Sequence, residues 1–382
     1  MHILEIPSFF PPYGGLFCLD QAKALALLGH EVRILSNVQL GMTSGLRDYL
    51  FLPYSHYEHE MEGLTVCQSY QRGIPKAVRC NVRRWVHGVQ SMFEDYVAQY
   101  GKPDVLHAHC CKWAGYAAMK ISRQYGIPYV ITEHLSRLLL QGELGNPSSG
   151  SWQVPLLRQA YEMADRVIPV SEELVGELAP YYGKDYRWLA VSNIVDVEFF
   201  HAQTRPSPSG RTFRFCCLAN YTSLKGYEVL FAAYKKLRLQ GLDVTLSIAG
   251  KATDSSACTS QLSEGIQAYG LLDRQGVRQF LYDQDCMVLA SRSETQGLVL
   301  LEALSTGIPV VSTDAIPASV RPKEGCVFVP VDDVDALAEA MKQMMHTTFD
   351  TQRLHQQVVE LASPLVVGRS LEQIFTEVRA SH

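Results

Sequence analysis

Short apolar runs alternate with longer amphipathic stretches along the whole chain. His2–Ile6, Val32–Leu35, Val105–His109, Tyr129–Thr132 and Val167–Val170 read as strands. Between them, residues 16–28 (closed by Gly29), Ala114–Gln124, Val154–Met163 and a stretch from Ser171 carry helical spacing. Ser171, followed by Glu172 and Glu173, predicts an N-cap with acids in the first turn. Strands that are apolar throughout, rather than alternating, predict a parallel sheet covered on both faces.

His201–Arg211, rich in Pro, Ser and Gly, reads as a linker, and the alternation restarts beyond it. Arg214–Leu218, Val244–Ala249, Met287–Ala290, Pro309–Ser312 and Val327–Val329 are the expected strands, with helices at Tyr227–Leu237 and Gly297–Ser305. This predicts a first domain over 1–203 and a second over 204–363. A last helix near Leu365–Val378, within 364–382, is free to pack back on the first domain. The fold class is α/β, with two doubly wound parallel-sheet domains facing a central cleft. Such sheets bind ligands at their carboxyl ends.

The 382 residues fit two domains, and 47 % hydrophobic with 19 % charged residues describes a soluble chain that buries sizeable cores. The net charge of −5 is spread evenly, so nucleic acid is not an expected partner. The start Met-His-Ile-Leu-Glu-Ile-Pro is not read as a signal peptide, and no apolar stretch is long enough to span a bilayer, which predicts a cytoplasmic protein. Ten cysteines show no C-x-x-C spacing. The adjacent pairs Cys110–Cys111 and Cys216–Cys217 are expected on strands, as small core residues in a reducing compartment. No G-x-G-x-x-G follows the first strand of either half, which argues against a dinucleotide oxidoreductase.

The most informative segment is Ser291-Arg-Ser-Glu294-Thr-Gln-Gly297, continuing to Glu302. A strand ends there, a polar loop carries Glu294, and a helix begins near Gly297. Free N–H groups at the helix start make an anion site that a phosphate can approach closely over glycine. The two carboxylates can then reach different hydroxyls of one ligand. An amphipathic helix with an acidic start reads equally well from these residues alone.

The frame S-R-x-E-x-x-G-x-x-x-x-E-A-L-x-x-G-x-P-V-V resembles the signature of glycosyltransferase family 4. Further matches follow in order: Pro11-Pro-Tyr-Gly14-Gly15, His107-Ala-His109, Thr132-Glu-His134, Ala164-Asp165 through Ser171, Ser192-Asn193, Lys225-Gly226 and Ile248-Ala-Gly250. The resemblance covers nearly the whole chain. It implies the GT-B fold of two Rossmann-like domains and a retaining transfer from a nucleotide-diphosphate sugar, UDP-sugars ahead of GDP-mannose. The implied acceptor is a glycan or lipid-linked molecule in cell-surface polysaccharide or glycoconjugate synthesis. The rivals are a non-catalytic partner subunit of the same fold and a nucleotide-sugar epimerase.

By this resemblance Gly15 lies under the donor β-phosphate and Lys225 contacts the pyrophosphate. Glu294 bonds a hydroxyl of the sugar, Glu302 bonds the ribose, and amides at Gly297, Leu298 and Val299 complete the anion site. His134 matches the histidine facing the sugar near the reacting carbon. No cofactor or metal is implied. His107 and His109 share a strand face, but no third metal ligand is evident, so they are read as structural or acceptor-side residues. Asp283-Gln-Asp285 is read as an ordinary strand junction rather than a metal motif.

Three departures stand out. Asn220 occupies the place of an arginine, with Lys251 as a candidate substitute. Asp314-Ala-Ile-Pro-Ala-Ser319 replaces the usual glycine pair and glutamate. The span from Gly250 to Met287 is compact. Residues 76–96 read as a helix whose Val78, Val82, Trp85, Val89 and Met92 pack on a core. Lys76, Arg79, Arg83 and His87 recur on another stripe beside Arg84. That stripe is expected to dock on anionic lipid, at the inner face of the plasma membrane, or on an anionic acceptor.

Overall fold

A computed structural model describes residues 1–41, 46–52, 57–203 and 210–382. The chain forms two compact units, Met1–Ile194 with Pro364–His382, and Val195–Ser363. The division falls ahead of residue 203 because Val195, Val197 and Phe200 are buried in the second unit's core. Residues 204–209 of the expected linker lie outside the described residues.

In the first unit, β1 (His2–Pro7), β2 (Glu31–Leu40), β3 (Tyr57–Met61), β4 (Leu64–Arg72), β5 (Val105–His109), β6 (Tyr129–Glu133) and β7 (Arg166–Pro169) lie in the order β3-β4-β2-β1-β5-β6-β7. The chain winds outward from β1 through β2, then returns to place β5 on its other side, with Ile3 opposite Val105. The loops after β1 and β5 therefore diverge at a switch point, where doubly wound sheets open a ligand crevice. The strands pair in parallel except β3, which runs antiparallel to β4 through a two-residue turn. Glu62 and Gly63 there have φ of 49° and 80°, the left-handed pair that a tight hairpin requires. This hairpin was absent from the expected elements. Its outer strand carries Glu58, His59 and Glu60, the polar dress of a sheet edge rather than an apolar run.

The first unit's helices are α1 (Leu16–Leu27), α2 (Leu46–Phe51), α3 (Val78–Tyr100), α4 (Tyr116–Tyr125), α5 (Arg137–Leu144), α6 (Gln153–Glu162) and α7 (Glu173–Tyr182). Successive strand residues point to opposite faces. Ile3, Val105, Val130 and Ile168 enter the core with α1, while Leu4, Leu106, Ile131 and Val167 enter the core with α3, α4 and α6.

Several local expectations change. Glu172, with helical dihedrals and no side-chain cap bond, precedes α7, so Ser171 is not its N-cap. Val82, Trp85, Val89 and Met92 are buried, but Val78 is 51 % exposed at the open first turn. Lys76 lies before the helix at φ 62°, because Asn81 bonds back to both the N–H and the C=O of Ile74 and holds 74–77 as a loop. Cys110 and Cys111 are buried, but they form the turn after β5 rather than a strand.

In the second unit, β8 (Phe213–Leu218), β9 (Val244–Ala249), β10 (Ile266–Ala268), β11 (Cys286–Leu289), β12 (Val310–Thr313) and β13 (Cys326–Val329) are parallel, in the order β10-β9-β8-β11-β12-β13. Its helices are α8 (Tyr227–Leu239), α9 (Ser256–Thr259), α10 (Arg274–Tyr282), α11 (Leu298–Ser305), α12 (Val334–Met344) and α13 (Thr351–Ala362). The chain then turns at Pro364 into α14 (Pro364–Ser381), which belongs to the first unit. Its Val367, Leu371, Ile374, Phe375 and Val378 are buried, and Gly368 allows close approach to the carbonyl of Ala24 on α1. Among the described residues, no helix is long and apolar enough to cross a membrane.

Candidate active site

In the second unit, two glycines set the geometry. Gly226 has φ 58°, and a β-carbon there would stand 2.1 Å from the carbonyl oxygen of Ala290. The turn before α8 therefore lies directly on the end of β11, and the Arg292 N–H donates to the Leu224 carbonyl at 2.8 Å. This brings Lys225 Nζ to 2.6 Å from Glu294 Oε1, which also accepts from Ser291 Oγ at 2.7 Å. Gly297 has φ 82°, with Ile316 filling the space where its β-carbon would go. α11 starts beyond it without a side-chain cap, so its first amides face the loop. Glu302, half-buried, is one turn into the same helix.

Asn220 has a different task from the arginine it replaces. Its Oδ1 accepts the Lys251 N–H at 3.0 Å, while Tyr221 N–H donates to the Lys251 carbonyl, so it clips the loops after β8 and β9 together. The Lys251 side chain is exposed. Arg321 spans the loop after β12, donating to the carbonyls of Asp314 and Ile316 where the glycine pair was expected. Asp285 is held by the Arg211 guanidinium at 2.6 and 2.7 Å and by the Arg214 N–H. Those bonds outweigh its burial and keep its carboxyl below the usual range, which agrees with a structural junction.

In the first unit, Gly15 at φ 82° starts α1, and a β-carbon there would collide with the Phe9 carbonyl at 1.9 Å. Two residues on, Phe17 stacks on the ring of His134 at 3.7 Å between centroids. Both ring nitrogens of His134 are buried, with the Asn193 side-chain amide beside them. Burial first, then His109 and His107, push its pKa well below the ordinary value, so the ring is neutral.

Glu133 holds the loops on either side. Its Oε1 accepts the N–H groups of His134 and Leu135 at 3.0 Å, and its Oε2 accepts Cys111 N–H at 3.1 Å and Tyr161 O–H at 2.9 Å. The sequence shows only an acid beside a histidine; its four partners come from three elements. A cavity of about 320 Å³ opens near these loops, lined by Ser8, Trp85, Lys112, Trp113, Glu143 and Gln153 among others.

His107 and His109 do gain a third companion, contrary to expectation. Glu5 on β1 places Oε2 at 2.8 Å from His107 Nδ1 and 2.6 Å from His109 Nε2, with all three side chains fully buried. His107 Nε2 lies 2.7 Å from the Thr132 hydroxyl. Neighbouring-strand register makes this cluster, the candidate group for a metal ion among the described residues. Two ligands on one tetrahedral zinc stand about 3.3 Å apart. The Glu5–His109 separation is instead that of a hydrogen bond. Burial alone would raise the Glu5 carboxyl, but the two histidines hold it down to about 2. Burial and His107 lower His109 to about 4.

Comparisons with known proteins bear on both units. Residues 15–193 match the model of a glycosyl transferase 4-like domain, and residues 212–347 match that of glycosyl transferases group 1. The chain belongs to the family-4-type, group 1 glycosyltransferases. It is 25 % identical over 377 residues, 90 % of each chain, to WcaL of Salmonella typhimurium, a glycosyltransferase assigned to colanic acid biosynthesis. It is 26 % identical over 364 residues, 91 % of this chain and 90 % of the other, to TuaC of Bacillus subtilis, assigned to teichuronic acid biosynthesis. Among solved structures, sucrose-phosphate synthase of Thermosynechococcus elongatus superposes with a TM-score of 0.76 at 17 % identity over the whole of both chains. Anabaena HepE, in complex with UDP and glucose, gives 0.71 at 16 % identity over 98 % of this chain and all of that one. These likenesses establish the GT-B fold.

Two predictions follow from the buried carboxylates. Glu133→Ala leaves three N–H groups and a hydroxyl without an acceptor, and should cost about 3–5 kcal/mol in urea unfolding. Glu133→Gln, which keeps one oxygen, should cost less, and a Glu133→Ala midpoint equal to wild type would contradict the clamp. His109 takes up its proton only near pH 4 when folded, but near 6.5 when unfolded. Stability should therefore fall between pH 6.5 and 4, by up to about 3 kcal/mol. Thermal melts across that range should show the slope reduced in His109→Gln, and an unchanged slope would refute the assignment.

Proposed function

We propose that this glycosyltransferase retains anomeric configuration and acts without a metal, taking a sugar from a nucleotide diphosphate. UDP-sugars are the favoured donors, GDP-mannose the next. The acceptor is a glycan or lipid-linked molecule in cell-surface polysaccharide or glycoconjugate synthesis. The observation that carries this reading is the Lys225–Glu294 pair beside the uncapped start of α11. An arriving pyrophosphate takes Lys225 and the amides of Gly297, Leu298 and Val299, and Glu294 is released toward a sugar hydroxyl. Glu302 takes the ribose. The fixed dipoles and Lys225 stabilise the charge that grows on the leaving nucleotide, the task a divalent ion performs elsewhere.

Gly15 is assigned to the β-phosphate and His134 to the transferred sugar. The neutral ring of His134, beside the Asn193 amide, supports a hydrogen-bonding role there. Glu294, Glu5 and Glu133 are each engaged by cations, histidines or several donors, and none is poised as a covalent nucleophile. This supports same-face attack, in which the donor phosphate receives the acceptor's proton, over double displacement. HepE's complexes with UDP and UDP-glucose support the uridine donor, and the names of WcaL and TuaC support a polysaccharide product.

The basic residues in and just before α3 support a peripheral seat on the inner face of the plasma membrane. Lys76, Arg79 and Arg83 are exposed beside exposed Ile74 and Val78, whereas Arg84 is half-buried and donates to the Arg72 carbonyl. Each exposed cation contributes about 1 kcal/mol on an anionic surface.

Lys225→Ala should weaken UDP binding and transfer together, with a transition-state loss of roughly 2–4 kcal/mol. Glu294→Gln should spare free UDP while cutting turnover, and Glu302→Gln should weaken free UDP itself. Calorimetry alongside a transfer assay separates the three, and equal effects from both glutamates would overturn their division of labour. In co-sedimentation, anionic vesicles should bind the protein in a salt-sensitive manner and neutral ones should not. Changing Arg79 and Arg83 to glutamate should abolish binding; pelleting equal to wild type would remove the membrane seat.

A further inference from the structure

The cavity at the ends of β1 and β2 has fixed walls. Trp85 Nε1–H donates to the Asn37 carbonyl and Asn37 Nδ2 donates back to the Trp85 carbonyl. Asn81 uses its amide on Ile74, and the Tyr13 hydroxyl donates to Asp48. Trp113 also lines the cavity and is stacked on Trp152 at 6.0 Å between centroids. These groups shape the space, and Trp85 Nε1, Asn37 Nδ2, the Asn81 amide and the Tyr13 hydroxyl are already engaged.

Gln153 is different. It is 93 % buried, it lines the cavity, and its Oε1 has no hydrogen-bond partner. An orphaned buried acceptor costs roughly 1–3 kcal/mol, a cost that a ligand hydroxyl would relieve. Lys112 and Glu143 are the charged residues among those lining the cavity, and they are paired with each other. Among the described lining residues the two charges are paired with each other, Gln153 Oε1 is a buried acceptor without a partner, and Trp113 supplies an indole wall.

We propose that the acceptor group entering this cavity is an uncharged sugar ring, and that Glu143, by holding Lys112, excludes phosphorylated sugars. This rests on the reading of the first unit as the acceptor side of the transferase. The apolar face of a pyranose lies on Trp113, and one of its hydroxyls donates to Gln153. A phosphate would find the cavity's cation already neutralised and a carboxylate beside it. A single oriented polar contact on an aromatic wall is how small-molecule sites discriminate among similar ligands.

Saturation-transfer NMR on the intact protein tests this, using the methyl glycosides of glucose, galactose, mannose and N-acetylglucosamine against the corresponding hexose 6-phosphates. Wild type should transfer to at least one methyl glycoside and to none of the phosphates. Trp113→Ala and Gln153→Leu should each weaken that glycoside about tenfold. Glu143→Gln, at a partly exposed position, should gain binding of the matching 6-phosphate as Lys112 is freed. Transfer to the phosphates in wild type, no methyl glycoside signal, or a Glu143→Gln protein that still rejects phosphate would overturn the proposal. UDP titrated into the same samples separates the outcomes. UDP binding without glycoside contact sinks the acceptor class alone, whereas failure of wild type to bind UDP strikes the transferase reading.

Discussion

A glycine pressed against a carbonyl organises the second unit. Because Gly226 carries no side chain, the start of α8 can lie on Ala290 at the end of β11. Lys225 and Glu294 come from segments 69 residues apart, yet they meet at 2.6 Å. Any other residue at Gly226 would meet the Ala290 oxygen at 2.1 Å and would have to hold φ 58°. The meeting of the cation and the carboxylate is thus a consequence of one close approach, and the chemistry proposed for the unit depends on it.

The first unit solves a related problem with charge rather than space. Its central strands are fully buried and yet carry Glu5, His107, His109, Thr132 and Glu133. Each such group would be costly alone, and the sheet register brings their partners to them. Glu5 sits between two histidines one strand away, and Glu133 gathers donors from the loops that follow β5 and β6. His134 leaves that arrangement with its backbone N–H fixed by Glu133 and its ring neutral. A buried interior that fixes the loop backbone around a neutral ring is the support a binding site needs.

What the sequence showed divides along the same line. Uniformly apolar runs marked the buried parallel strands, and the run from Glu294 through Gly297 to Glu302 marked a strand end, a loop and a helix start, since both are local patterns. The β3–β4 hairpin escaped because an edge strand is polar by necessity. Ser171 has the right chemistry for a cap, but the helix begins two residues later. Glu5 could not be recognised as the companion of His109, 104 residues away, without strand register. Gln153 and the Lys112–Glu143 pair likewise gain meaning only from the cavity they line. Asn220 looked like a lost cation and proved to be a clip between two loops.

The central claim is that Lys225 and the amides at the start of α11 hold a nucleotide diphosphate without help from a metal. Calorimetric titration of the intact protein with UDP, in buffer containing excess EDTA and then in buffer containing magnesium, addresses it directly. The account predicts one bound UDP per chain with the same affinity in both buffers. Binding that appears only with magnesium, or no binding in either, would contradict it.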